Sequence, residues 1–148
     1  MPSDRPSDPP ATQPQGKVLY IEDAPINVAV VEAMLAQYPG VTLIHAATGL
    51  EGVRLVRSER PDFVLLDMHL PDISGLEVVR LLSKDIAERR LRVTILTADS
   101  LTIDVIKALS LGACEYLIKP VTAAKLEACL LRALTGKPAR LAGRDGPG

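Results

Sequence analysis

Five short apolar runs recur along this chain, and each is followed by a stretch with helical periodicity. The runs are "KVLYI", "VTLIHA", "DFVLL", "RVTIL" and "CEYLI". They are apolar at successive positions and not only at alternate ones, as strands covered on both faces must be. Between them, Pro25 suits the first turn of a helix over "INVAVVEAMLAQY". Thr48 can cap "GLEGVRLVRSE", where Leu50, Val53 and Val56 recur at helical spacing before Pro61 ends the helix. Gly75 opens a third helix with Val79, Leu82 and Ile86 on one face. "SLTIDVIKALSLG" reads as a fourth, closed by Gly112, and "TAAKLEACLLRAL" as a fifth with Leu126, Leu130 and Leu134 on one side. Strand–helix alternation of this kind predicts an open, doubly wound α/β sandwich around a five-stranded parallel sheet.

The rest of the composition fits that frame. The chain has 148 residues, 47% of them apolar and only 3% aromatic, so one aliphatic core is expected. A net charge of −1 speaks against a generic nucleic-acid or membrane-surface binder. No apolar run is long enough to span a bilayer, and the first residues lack a signal-peptide core, so a cytoplasmic protein is the expectation. Cys114 and Cys129 lack metal-type spacing and read as buried small hydrophobes. Residues 1–16 hold five prolines and no Ile, Leu, Val or aromatic residue, and read as a disordered tail. Residues 135–148 read as a second tail, leaving a globular unit over 17–134.

In doubly wound folds ligands bind outside the carboxyl ends of the strands. Glu22 and Asp23 follow the first run, and Asp67 follows the third. Thr97, Ala98 and Asp99 follow the fourth, and Lys119 and Pro120 the fifth. One acid after a strand is commonly a helix cap, and one Lys is commonly solvated. Three carboxylates, a hydroxyl and an ammonium on one edge ask for more. Three clustered carboxylates repel one another beyond what a single Lys offsets. A hard divalent cation with oxygen ligands answers this, and Mg²⁺ fits because it takes few carboxylates and keeps waters. Open positions on such an ion accept phosphate oxygens, and Lys119 and Thr97 can meet the others. That leaves one carboxylate as nucleophile or acceptor for a phosphoryl group.

"YIEDAPIN", "LLDMHLPDISGLE", "LTA" and "YLIKP" together resemble the receiver domain of two-component response regulators. The spacings fit as well: 44 residues from Asp23 to Asp67, 30 more to Thr97 and 22 more to Lys119. The resemblance covers 17–134 and implies a flavodoxin-like fold with strand order 2-1-3-4-5. It implies that Asp67 is the phosphorylated aspartate, and that Asp23, Asp67 and the backbone carbonyl of His69 ligate Mg²⁺, for which Mn²⁺ could substitute. Glu22, a longer acid than the Asp often found there, would act through a metal-bound water. Thr97 would hydrogen-bond the phosphoryl group and Lys119 would pair with it. Lys119–Pro120 would be cis, and Tyr116 would be the aromatic switch partner of Thr97. The implied donor is a phosphohistidine on a sensor histidine kinase or a histidine phosphotransfer protein, and small acyl phosphates can also serve. The acyl phosphate is then hydrolysed, so such a domain is a signalling device that catalyses its own phosphorylation and dephosphorylation.

The resemblance further implies that His69 and Asp99 flank the route of the hydrolytic water, where they would form a polar gate that sets phosphoryl lifetime. The plainer reading makes the His69 ring a solvated loop group and Asp99 the cap of the fourth helix. Pro71 and Asp72 shape the loop after the acceptor, Gly75 lets the third helix approach closely, and His45 is structural, away from the cluster. Two other functions stay open: a metal-dependent phosphatase with an aspartyl nucleophile, and a pseudo-receiver that only binds partners. The first resembles a D-x-D pattern, but His69 holds its second position; the second predicts loss of the acceptor, metal acids or Lys, all of which are here. "YIEDAPINVAVVEAMLA" resembles receivers attached to hybrid histidine kinases, while the initial Met and the two tails fit a small stand-alone protein. Output would run through protein contacts or a phosphorelay, with no direct nucleic-acid or membrane partner. The first helix is the expected kinase face, and the fourth helix, fifth strand and fifth helix the expected output or homodimer face, with Leu130 and Leu131 apolar there.

Overall fold

The computed structural model describes residues 13–98 and 101–135. Strands are β1 (Gly16–Ile21), β2 (Val41–Ala46), β3 (Phe63–Asp67), β4 (Arg92–Thr97) and β5 (Glu115–Ile118). Helices are α1 (Pro25–Leu35), α2 (Gly49–Glu59), α3 (Gly75–Arg89), α4 (Ile103–Ser110) and α5 (Ala123–Thr135). All strands are parallel, in the order β2-β1-β3-β4-β5, as the resemblance implied. Gly16 is already in β1 and Thr135 still in α5; residues 1–12 and 136–148 of the expected tails lie outside the described residues.

Alternation along the strands builds two cores. Leu19, Ile21, Val64 and Leu66 face α2, α3 and α4, joining Val56, Val79 and Leu82. Val18, Tyr20, Phe63 and Leu65 face α1 and α5, joining Val31, Leu126 and Leu130. β3 lies at the centre and every one of its residues is buried, the terminal aspartate included.

Helix starts follow local chemistry. Thr48, Ser74 and Thr102 cap α2, α3 and α4, each side chain accepting a backbone N–H from the first turn. α4 therefore begins after Thr102, later than the sequence suggested, and Asp99 is not its cap. Gly112 turns the chain after α4 at φ +121°, a conformation that other residues rarely adopt. At Gly75 a side chain is barred: a methyl there would lie 2.8 Å from Met68 Cα and 3.0 Å from the Asp67 carbonyl oxygen. Three readings change. Leu50 stands on the outer side of α2 and is exposed, Cys114 is exposed, and Leu130 is buried and not part of an outer face.

Candidate functional site

Parallel register brings the strand ends to one edge. β1 delivers Glu22, whose N–H continues the ladder by donating to the Ala46 carbonyl at 2.9 Å. β3 ends on Asp67, paired with Leu96 of β4. β4 ends on Thr97, and its carbonyl accepts the Lys119 N–H at 2.7 Å, so the sheet ties Lys119 to Thr97. The sequence placed Asp67 and Thr97 just past their strands; they are the last strand residues, which fixes them more firmly.

Glu22, Asp23 and Asp67 each offer a carboxylate oxygen within 4.8 Å of the others. Glu22 and Asp67 are buried and Asp23 is exposed, so the cluster opens to solvent on one side. Lys119 Nζ lies 3.0 Å from Asp67 Oδ1, and the His69 N–H donates to the same oxygen at 3.2 Å. Among the described residues, Lys119 is the one ammonium set against these three carboxylates. An all-oxygen donor set with that charge fits a hard cation such as Mg²⁺ and not a soft metal.

Glu22 is held at both carboxylate oxygens. The Tyr20 hydroxyl donates to Oε1 at 3.1 Å and the Ala24 N–H donates to Oε2 at 3.0 Å. His45 Nε2 lies 2.7 Å from the Glu22 carbonyl oxygen; a carbonyl only accepts, so this nitrogen carries a proton. Burial, with the nearby Glu22 and Asp67 carboxylates, raises the Tyr20 phenol well above its usual range, so it stays a donor.

Thr97 is buried beside the cluster. Lys119–Pro120 is cis, as the resemblance implied. Tyr116 is half-buried against the core under α2, α3 and α4. The His69 side chain is exposed, and Asp99 lies outside the described residues. Asp72 is structural: its carboxylate accepts the Gly49 and Leu50 N–H groups, both at 2.8 Å, tying the loop after β3 to the start of α2. His45 does not stand away from the cluster, since its ring reaches the Glu22 main chain. Tyr20 and His45 are the residues that the sequence reading missed. Tyr20 had a signal: two residues before Glu22 in a strand, it points to the same face. Beside Lys119 opens a cleft of about 170 Å³, lined by Tyr20, Asn27, Val30, Leu96 and Pro120. No described helix is long and apolar enough to cross a membrane.

Comparison with known proteins points the same way. The family model described as the response regulator receiver domain matches residues 18–131. The chain is 34% identical over 105 residues to the protein PilH of Pseudomonas aeruginosa, covering 71% of this chain and 86% of PilH. It is 34% identical over 106 residues to the polar-differentiation response regulator DivK of Brucella anthropi, covering 71% of this chain and 85% of DivK. Among solved structures it is similar to the receiver domain of the sensor histidine kinase PA1611 of Pseudomonas aeruginosa. There the TM-score is 0.70 at 33% identity, over 82% of this chain and 98% of that one. That domain was solved with a magnesium ion coordinated in its active site cleft.

Proposed function

The chain belongs to the response regulator receiver domain family, and on that premise we propose that Asp67 accepts a phosphoryl group from a phosphohistidine donor. One observation carries the reading. A buried carboxylate ends the central strand with an ammonium 3.0 Å away and two further acids close enough to share a cation. Asp23, Asp67 and the His69 carbonyl would hold Mg²⁺ directly and Glu22 through a water, with Mn²⁺ able to substitute. Bound there, the ion would supply positive charge that offsets the negative charge of the transferring phosphoryl group.

The chain's own groups do the rest. A carboxylate oxygen of Asp67 attacks phosphorus in line as the phosphorus–nitrogen bond to the donor imidazole breaks. Lys119, already on Asp67, neutralises charge on the incoming group, and the Thr97 hydroxyl donates to a phosphoryl oxygen. Drawing Thr97 toward the phosphoryl group biases a two-state element made of Thr97, Tyr116 and the segment at Pro120. The readout face is then α4, β5 and α5, where Ile103, Ile106 and Ile118 are exposed; it would serve a protein partner or a second copy. Ile26 and Val30 of α1, also exposed, lie on the face offered to the kinase or phosphotransfer protein. His69 and Asp99 would tune how long the acyl phosphate lasts. A phosphatase acting on outside substrates would need an acid where His69 stands. The module is a cytoplasmic signalling domain over 16–135 that turns over only its own aspartyl phosphate.

Labelling with a small acyl phosphate and Mg²⁺ tests this. Wild type should take up one acid-stable, base-labile phosphoryl group and Asp67→Asn none; equal labelling of the two would overturn the assignment.

A further inference from the structure

Glu22 carries one methylene more than Asp, and with it one more torsion to be fixed before its carboxylate can help organise a cation. The fold removes that freedom. The Tyr20 hydroxyl holds Oε1 at 3.1 Å, the Ala24 N–H holds Oε2 at 3.0 Å, and the His45 ring and the Ala46 carbonyl hold the main chain. Tyr20 and Glu22 are almost wholly buried, at 3% and 1% exposure, so water does not compete for the phenol–carboxylate bond. Of these anchors, only Tyr20 reaches the carboxylate with a side chain.

We propose that Tyr20 is a positioning residue of the cation site, setting Mg²⁺ affinity by fixing the Glu22 carboxylate. This rests on the reading that Glu22, Asp23 and Asp67 hold Mg²⁺. Outer-shell groups of a metal site are worth about 10–100-fold in metal affinity; Glu22, acting through a metal-bound water, is one, and Tyr20 works through it, which puts its effect at the low end of that range. Tyr20→Phe keeps the ring in its core and removes only the hydroxyl. It should weaken Mg²⁺ binding about tenfold.

The test is Mg²⁺ titration of the full chain, followed by backbone amide shifts in NMR, whose spectra also report whether each variant is folded. Wild type, Tyr20→Phe, Glu22→Ala and the double variant form a cycle, with Asp23→Asn as control. A hydroxyl that acts through the carboxylate loses its effect once that carboxylate is gone. Tyr20→Phe should then change affinity less than about twofold in the Glu22→Ala background. A purely structural tyrosine would shift the unfolding midpoint without Mg²⁺ and leave the affinity unchanged. Tyr20→Phe within twofold of wild type, or an equal loss with and without Glu22, overturns the proposal. If wild type shows no saturable Mg²⁺ response, the metal reading falls and takes this proposal with it. If wild type saturates, Asp23→Asn does not and Tyr20→Phe matches wild type, only the role of Tyr20 falls.

Discussion

Two cysteines of one chain meet different surroundings. Cys114 stands exposed before β5, while Cys129 of α5 is buried against β4 and β5, with its sulfur 3.4 Å from Thr94 Oγ1 and 3.3 Å from Glu115 Oε2. Burial pushes the Cys129 thiol up to about 11; the nearby Glu115 carboxylate adds to this, and the Thr94 hydroxyl opposes it. Reaction with a disulfide reagent near pH 8 should therefore titrate one thiol in the native protein and two in denaturant. A Cys114→Ser variant should show almost no native reaction. The sequence treated both as buried, because residue type reports average burial and not whether a residue falls before a strand or on the inner side of a helix. The strand-end residues were legible for the opposite reason. Acids, a hydroxyl and a lysine that interrupt apolar runs must sit where the runs end, so Asp67, Thr97 and Lys119 could be placed before any contact was known. The contacts of Tyr20 and His45 were harder, since His45 lies on a neighbouring strand and its partner is a backbone oxygen.

All five helices were legible in the sequence, but which side of each faces the core was legible only where an apolar face opposes a polar one. Val53 and Val56 of α2 recur at helical spacing and are buried. In α1, Ile26 and Val30 are as apolar as the buried Val28 and Val31, yet stand 71% and 61% exposed, so periodicity alone could not tell its inner side. α4 has the same ambiguity, with Ile103 and Ile106 outside, and Thr102 decides where it starts. Contacts between elements were invisible. α2 is capped twice, by its own Thr48 and by Asp72 from the loop after β3. Desolvation pushes the Asp72 carboxyl up, but the Leu50, Gly49 and Ile73 N–H groups outweigh it and the group is held below its ordinary value. Asp72→Ala should cost about 1 kcal/mol in urea unfolding at pH 7. For an acid depressed in the folded state, the stabilisation is present above the unfolded value, about 3.9, and is lost as pH falls through the folded value. The gap between wild type and Asp72→Asn should thus narrow only below about pH 4.

At the scale of the molecule, the sheet edge concentrates charge that the bare fold must tolerate. Among the described residues three carboxylates face one ammonium, so Asp23→Asn should stabilise the metal-free protein, but by no more than about 1 kcal/mol, because Asp23 is the exposed member and water screens its repulsion with the two buried acids. Saturating Mg²⁺, at about 100 times its Kd, should add about 2.7 kcal/mol to wild type and raise Tm by several degrees. Asp23→Asn should lose most of that rise; scanning calorimetry with and without Mg²⁺ would show both effects. The opposite edge of the sheet is quiet. There Gly16 begins β1 and α5 comes to its end, close enough that a methyl on Gly16 would lie 3.1 Å from Leu134 Cδ2. The first strand starts where the last helix finishes, on the side of the sheet remote from Asp67. A unit so arranged can be spliced into a host loop like a cassette, both splice points meeting the host at one spot while the reactive edge faces away. For protein engineers, this makes the domain a natural candidate for circular permutation or for insertion into an unrelated scaffold.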